Sequence, residues 1–196
     1  MAPLQFGYWA LRGLGQPIRL LLEYVGEDYQ EKRFQKGDME EWKKLKYNLG
    51  IGFPNKHGLG GKGAKEQAKI AMAEAAIKDL RTTFGCIAYS PNYEKERPEF
   101  MPKYEKGIED IANYLGNKKW LMGHSITYVD FLLYENLCVF QIFEPSTFKK
   151  HPNLKQYVER FEALPKIKTY LASKRFISWP LNGWSATFGG GDAPPK

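Results

Sequence analysis

Six apolar residues, Ile70, Ala73, Ile77, Leu80, Phe84 and Ile87, recur at steps of three and four. An α-helix turns once in about 3.6 residues, so this spacing draws a single apolar stripe along one face of a long helix. A stripe of that length is buried only against other helices. The sequence supplies them. Phe100, Tyr104, Ile108, Ile111 and Leu115 form a second stripe, stopped by Gly116. Proline removes a backbone donor and crowds the preceding turn, which predicts that this second helix begins after Pro98. A third helix is expected over Thr127 to Phe143. Thr127 can cap it, Asp130 three residues on is a short variant of the capping box, and Ile126 with Phe131 fits a hydrophobic staple. Leu154 to Leu164 and Ile167 to Ser173 read as two further helices. The glycine- and proline-rich end, Gly189 to Lys196, reads as a mobile tail. Residues 64–196 are thus expected to form an all-α helical bundle.

The first 55 residues follow another rule. Leu4 to Trp9 is short, apolar and aromatic, as in a strand. Gly13 and Gly15 break the chain. Gln16-Pro17 opens a helix with Ile18, Leu21, Leu22 and Val25 at helical spacing, and Gly26 closes it. A second strand is expected near Tyr29 to Phe34, and the intervening helix permits parallel pairing. Trp42 to Lys46 is a short charged segment, and Gly50, Gly52, Pro54 and Asn55 mark a loop. Residues 56–63, basic and glycine-rich, read as a linker. The change of element type predicts an α/β domain over 1–55 and a helical domain over 64–196.

Composition narrows the function classes. Apolar runs are short and interrupted by charge, and the N-terminal residues lack the basic start and apolar stretch of a secretory signal. Two cysteines, Cys86 and Cys138, neither form a disulfide framework nor carry metal-ligand spacing; both read as buried free thiols in a reducing compartment. A cytoplasmic protein with no metal is the resulting expectation. The net charge is +7, and residues 56–196 carry most of the excess, scattered rather than blocked. With 15% aromatic residues this prompts a nucleic-acid reading, but no recognition module and no continuous Lys/Arg stripe is present.

Tyr8 closes the first strand a few residues before a helix N-terminus. A phenol there can donate to an anion, and a thiol so stabilised ionises more readily and attacks faster. On position alone, a tyrosine in a strand is usually a packing residue. The surrounding residues add to this. Gly7-Tyr8-Trp9, Arg12-Gly13 and Gln16-Pro17-Ile18-Arg19-Leu20-Leu21-Leu22-Glu23-Tyr24 closely resemble the opening of mu-class glutathione transferases. Trp42, Lys46 and Phe53-Pro54-Asn55 follow in the same order. So do Ile70-Ala71-Met72-Ala73-Glu74, Asp79-Leu80-Arg81, Ile87-Ala88-Tyr89, the capping segment Ser125 to Asp130, Trp179-Pro180-Leu181 and Gly183-Trp184.

The resemblance implies a thioredoxin-like N-terminal domain and a homodimer. It also implies conjugation of reduced glutathione, a co-substrate, to hydrophobic electrophiles, with no cofactor, nucleic acid or membrane involved. Tyr8 would stabilise the glutathione thiolate. Trp9, Trp42, Lys46 and Asn55 would hold glutathione, with Trp42 and Lys46 at its glycine carboxylate. Asp79 would reach the γ-glutamyl amine of the glutathione bound by the partner subunit. Tyr89 would stand on the electrophile side, and Trp184 would line the pocket for the second substrate.

The sequence also departs from this family. After Asn55 the family continues with Leu-Pro, two antiparallel strands and a Gln-Ser pair that opens a helix and binds the γ-glutamyl carboxylate. Here Asn55 is followed by Lys56-His57-Gly58-Leu59, which resembles the end of that helix, so about twenty residues are absent, enough for two strands and most of a helix. The α/β domain is therefore expected to be incomplete. The competing expectation is a catalytically weak or inactive ligand-binding or structural protein on the same scaffold. A smaller departure is Gly85-Cys86, where the family branch carries a polar or basic pair near the dimer axis.

Overall fold

The computed structural model of the chain describes residues 4–45 and 57–191. Two parallel strands, β1 (Leu4–Trp9) and β2 (Tyr29–Phe34), pair in register from Leu4 opposite Tyr29 to Trp9 opposite Phe34. Helix α1 (Gln16–Val25) connects them. Pro17 lies in its first turn, and Gly26 ends it in the left-handed region at φ 76°, donating its N–H to the Leu22 carbonyl. A short helix, α2 (Met39–Leu45), follows β2. Lys46, Asn55 and the junction between Asn55 and Lys56 lie outside the described residues.

The buried face of α1 differs from the apolar spacing. Leu20, Leu21 and Leu22 are buried, but Ile18 is 39% exposed while Arg19 is fully enclosed. Arg19 can be buried because every side of its guanidinium finds an acceptor. It pairs with Glu31 at 2.5 Å and donates to the carbonyls of Leu11 and Trp9 at 2.8 and 3.1 Å. A buried cation without such partners would cost several kcal/mol.

The rest is helical. α3 (Gly63–Ala88) buries all six stripe residues. α4 (Tyr93–Leu115) packs along it, and α5 (Tyr128–Phe143) lies against both α3 and α1. α6 (Thr147–Lys150), α7 (Pro152–Glu162) and α8 (Pro165–Leu171) close the bundle, with α8 returning to α1. The apolar cluster extends without a break from Leu20 and Leu21 of α1 through α3, α4, α5 and α7 to Tyr170 of α8. The linker region is anchored to it: Leu59 is buried, and its carbonyl accepts the Tyr128 N–H at 3.1 Å. No helix among the described residues is long and apolar enough to cross a membrane.

Three expectations are corrected. α4 begins at Tyr93 and runs through both Pro98 and Pro102. Tertiary contacts hold the turn ahead of these prolines: Arg97 pairs with Glu144 at 2.9 Å, and Tyr93 stacks on Phe188. Cys86 is exposed, because it lies outside the α3 stripe to which neighbouring Ile87 belongs. Residues 189–191 are fixed rather than free. The Gly189 carbonyl accepts the N–H groups of Leu181 and Asn182 at 2.9 Å, and Trp179 Nε1 donates to the Gly191 carbonyl at 3.1 Å.

Candidate active site

Tyr8 leaves β1 pointing toward the loop that precedes α1. This approach requires small neighbours, since a Cβ on Gly15 would sit 2.4 Å from the Tyr8 ring. The Leu14 N–H donates to the Tyr8 hydroxyl oxygen at 3.0 Å. That bond uses the oxygen as acceptor and leaves the hydroxyl proton free for donation elsewhere. Burial raises the Tyr8 pKa above its ordinary value of 10.0, with the Leu14 N–H and the charges of Arg19 and Arg81 pulling the other way. The phenol therefore stays protonated and available as a donor throughout the neutral range.

Tyr8 opens onto a cleft of about 400 Å³ lined by Trp9, Leu14, Arg81, Tyr89 and Gly183, among others. Tyr89, at the end of α3, repeats the arrangement of Tyr8. Gly183 donates its N–H to the Tyr89 hydroxyl oxygen at 2.6 Å, so this phenol also keeps its proton for donation. Here too a side chain is excluded, as a Cβ on Gly183 would lie 2.7 Å from that oxygen. The cleft thus joins apolar walls to two phenol donors.

Tyr8, Trp9, Trp42 and Trp184 come together. Trp42 meets Trp9 at 5.3 Å and Tyr8 at 6.3 Å between ring centroids, and Trp184 stands edge-on to Trp9 at 5.6 Å. Asp79 is not part of this assembly. It lines a separate groove of about 490 Å³ between α3 and α4, with Met72, Leu80, Lys103 and Tyr114.

The loop carrying Leu14 is held from two sides. Arg12 pairs with Glu135 of α5 through two bonds of 2.9 and 2.7 Å, and both side chains are about 95% buried. Arg12 and Gly13 also donate their backbone N–H groups to the carbonyls of Pro180 and Leu181 at 2.8 and 3.1 Å. Sequence reasoning assigned no role to Arg12 or Arg81. Both were visible only as letters within matching strings, because a lone arginine carries no periodicity that marks it as buried.

Comparison with known proteins agrees with this geometry. The family model described as "Glutathione S-transferase, C-terminal domain" matches residues 78–174. A class-mu 26 kDa glutathione S-transferase isozyme 1 of Fasciola hepatica is 40% identical over 217 residues, covering 99% of this chain and 98% of that protein. Its class-mu 26 kDa counterpart in Schistosoma mansoni is 38% identical over 219 residues, covering both chains fully. Among solved structures, the Pi-class glutathione S-transferase of Onchocerca volvulus has the same fold, with a TM-score of 0.82, 23% identity, and coverage of 93% of this chain and 99% of that one. The glutathione S-transferase Blo t 8 gives a TM-score of 0.81 at 27% identity, covering 95% and 100%. The chain belongs to the glutathione S-transferase family, and its curated relatives place it with the mu class.

Proposed function

We propose that this protein conjugates reduced glutathione to hydrophobic electrophiles, with the Tyr8 hydroxyl donating a hydrogen bond that stabilises the glutathione thiolate. The observation that carries this reading is the Tyr8 hydroxyl itself. Its oxygen is occupied by the Leu14 N–H, its proton has no acceptor among the described residues, and it opens on a cleft lined also by Trp9, Leu14 and a second donor, Tyr89. The thiolate then attacks the electrophile directly. Trp9 and Trp42, beside Tyr8, hold the glutathione backbone with Lys46 and Asn55. A binding or structural protein would have no use for two phenols whose protons are both left free, so the enzyme is favoured.

Other assignments belong to the same reading. Residues 1–55 form the glutathione-binding domain, 56–63 the linker and 64–196 the helical domain. The protein is a cytoplasmic homodimer. Asp79 reaches the partner's glutathione, a role supported by its lining the α3–α4 groove and not the Tyr8 cleft. A stretch of the glutathione-binding domain is missing after Asn55. Two observations support this. The alignment with one Fasciola hepatica relative runs over 216 positions against 196 residues here, so at least 20 positions face no residue of this chain. Leu14 and Ile18, at the start of α1, are also left exposed. With the γ-glutamyl carboxylate site lost, the KM for glutathione is expected above about 1 mM, the upper end of the usual range.

The test is the initial rate of conjugation to an activated aryl halide, with Tyr8→Phe beside the parent. Loss of the donor is expected to lower kcat/KM by about 100-fold. It should also move the rising limb of the pH profile upward, toward the free-thiol value of about 8.5. An undiminished rate in Tyr8→Phe would remove Tyr8 from the mechanism. A folded parent with no rate above the solution reaction would leave the binding-protein reading in its place.

A further inference from the structure

The wall of the Tyr8 cleft carries a guanidinium, Arg81, that is bonded to no carboxylate among the described residues. Two guanidiniums, Arg12 and Arg81, face one carboxylate, Glu135. Arg12 takes both carboxylate oxygens, at 2.9 and 2.7 Å. Arg81 is left with a neutral partner. Its Nη2 donates to the Asn182 side-chain oxygen at 2.8 Å, and its Nη1 is buried with no hydrogen-bond acceptor among the described residues. Arg19 pairs with Glu31, a carboxylate that it shares with Arg33. Arg81 is thus a cation bonded to no carboxylate among the described residues, in a wall shared with Tyr8 and Tyr89. Removal from water disfavours the charged form of Arg81.

We propose that Arg81 is a specificity-determining residue: its charge stabilises negative charge forming on an electrophile's carbonyl oxygen, so that the cleft favours α,β-unsaturated carbonyl compounds over substrates that expel halide. The proposal rests on the transferase reading given above. In the step concerned, the thiol proton has already left to solvent. The sulfur lone pair forms a bond to the β-carbon, the carbon–carbon π bond breaks, and its electrons move through the α-carbon onto the carbonyl oxygen. Tyr89 donates a hydrogen bond to that oxygen, and Arg81 stands behind as the compensating charge. A proton from solvent at the α-carbon then completes the adduct. Displacement of an alkyl halide builds no charge on a carbonyl oxygen and gains less from a fixed cation.

The experiment measures kcat/KM for trans-4-phenylbut-3-en-2-one and for benzyl chloride, at saturating glutathione, in the parent, Arg81→Met and Arg81→Lys. In Arg81→Met the enone-to-halide ratio is expected to fall about 30-fold, less than for a fully enclosed oxyanion site because the cleft is open to water. Arg81→Lys keeps the charge and is expected to recover most of the ratio. Equal losses for both electrophiles, or a lysine variant no better than methionine, would show that Arg81 acts through packing and overturn the proposal. Equal losses joined to a raised KM for glutathione would place Arg81 at a glutathione carboxylate, which also overturns it. If the parent converts benzyl chloride with glutathione but the ratio does not move, the proposal alone fails. If the parent converts neither, the transferase reading fails with it.

Discussion

Arginine behaves in this molecule as three different residues. Arg19 is an internal brace with all its acceptors supplied, Arg12 is half of a buried ion pair, and Arg81 is a cation left over at the cleft wall. Patterning placed none of them, since a long basic side chain in a sequence reads by default as a solvated one. Tyr8 and Tyr89 were singled out because the strings around them resemble a family, and the structure adds what the strings lacked: the backbone N–H that fixes each phenol oxygen. Lys46 and Asn55 were named from the same strings, and both fall outside the described residues. The Arg12–Glu135 pair makes a direct prediction. Arg12→Met strands a buried carboxylate and is expected to cost about 3 kcal/mol in urea unfolding, the low end of the range for breaking such pairs, because Arg81 can turn to the orphaned Glu135. The double variant Arg12→Met, Glu135→Leu removes both charges and should recover most of that loss.

At the scale of elements, the stripe on α3 was fully legible, and all six of its residues are buried. Starts and stops were less so. α7 and α8 open at Pro152 and Pro165, two residues ahead of the expected starts at Leu154 and Ile167, because proline suits a first turn whose N–H groups have no partner. α6 escaped notice altogether. Its four residues are too few for a stripe, and it is held by burial of Thr147 and Phe148 and by the 2.8 Å bond between Thr147 and the Tyr104 hydroxyl. The best-read terminus is that of α5, where the Asp130 carboxylate accepts from the Thr127 N–H at 2.8 Å as the capping motif requires. It does more than cap, since it also accepts from the Leu121 N–H and the Tyr157 hydroxyl, both at 2.9 Å. Asp130→Ala leaves the buried Leu121 N–H unpaired as well as removing the cap, while the Tyr157 hydroxyl keeps the Asp130 carbonyl at 3.1 Å, and is expected to cost about 3 kcal/mol, more than an ordinary cap. The thermal midpoint, measured against Thr127→Ala as a cap-only control, checks the difference.

At the scale of the whole molecule, the two-part architecture was legible from the change of hydrophobic period, whereas the contact between the parts was not. Helix α1 belongs by sequence to the first part, yet packs on α5 and α8 of the second, and Leu20 and Leu21 join the helical core. Nothing in a local window of sequence reports such a contact. One experiment addresses the covalent chain and its assembly together. Intact mass spectrometry should give 22.6 kDa, and native mass spectrometry twice that value. A heavier intact chain would mean that the segment after Asn55 is present in the protein, and a native mass of one chain would remove Asp79 from the site. The hold of residues 180 and 181 on the loop at Arg12 and Gly13 bears on how the molecule is made. On a ribosome adding roughly 5–20 residues per second, the loop emerges on the order of ten to thirty seconds before the residues that fasten it. The reactive centre therefore takes its final shape only once nearly the whole message has been read, and a nascent chain carries an unfinished Tyr8 site for most of its synthesis.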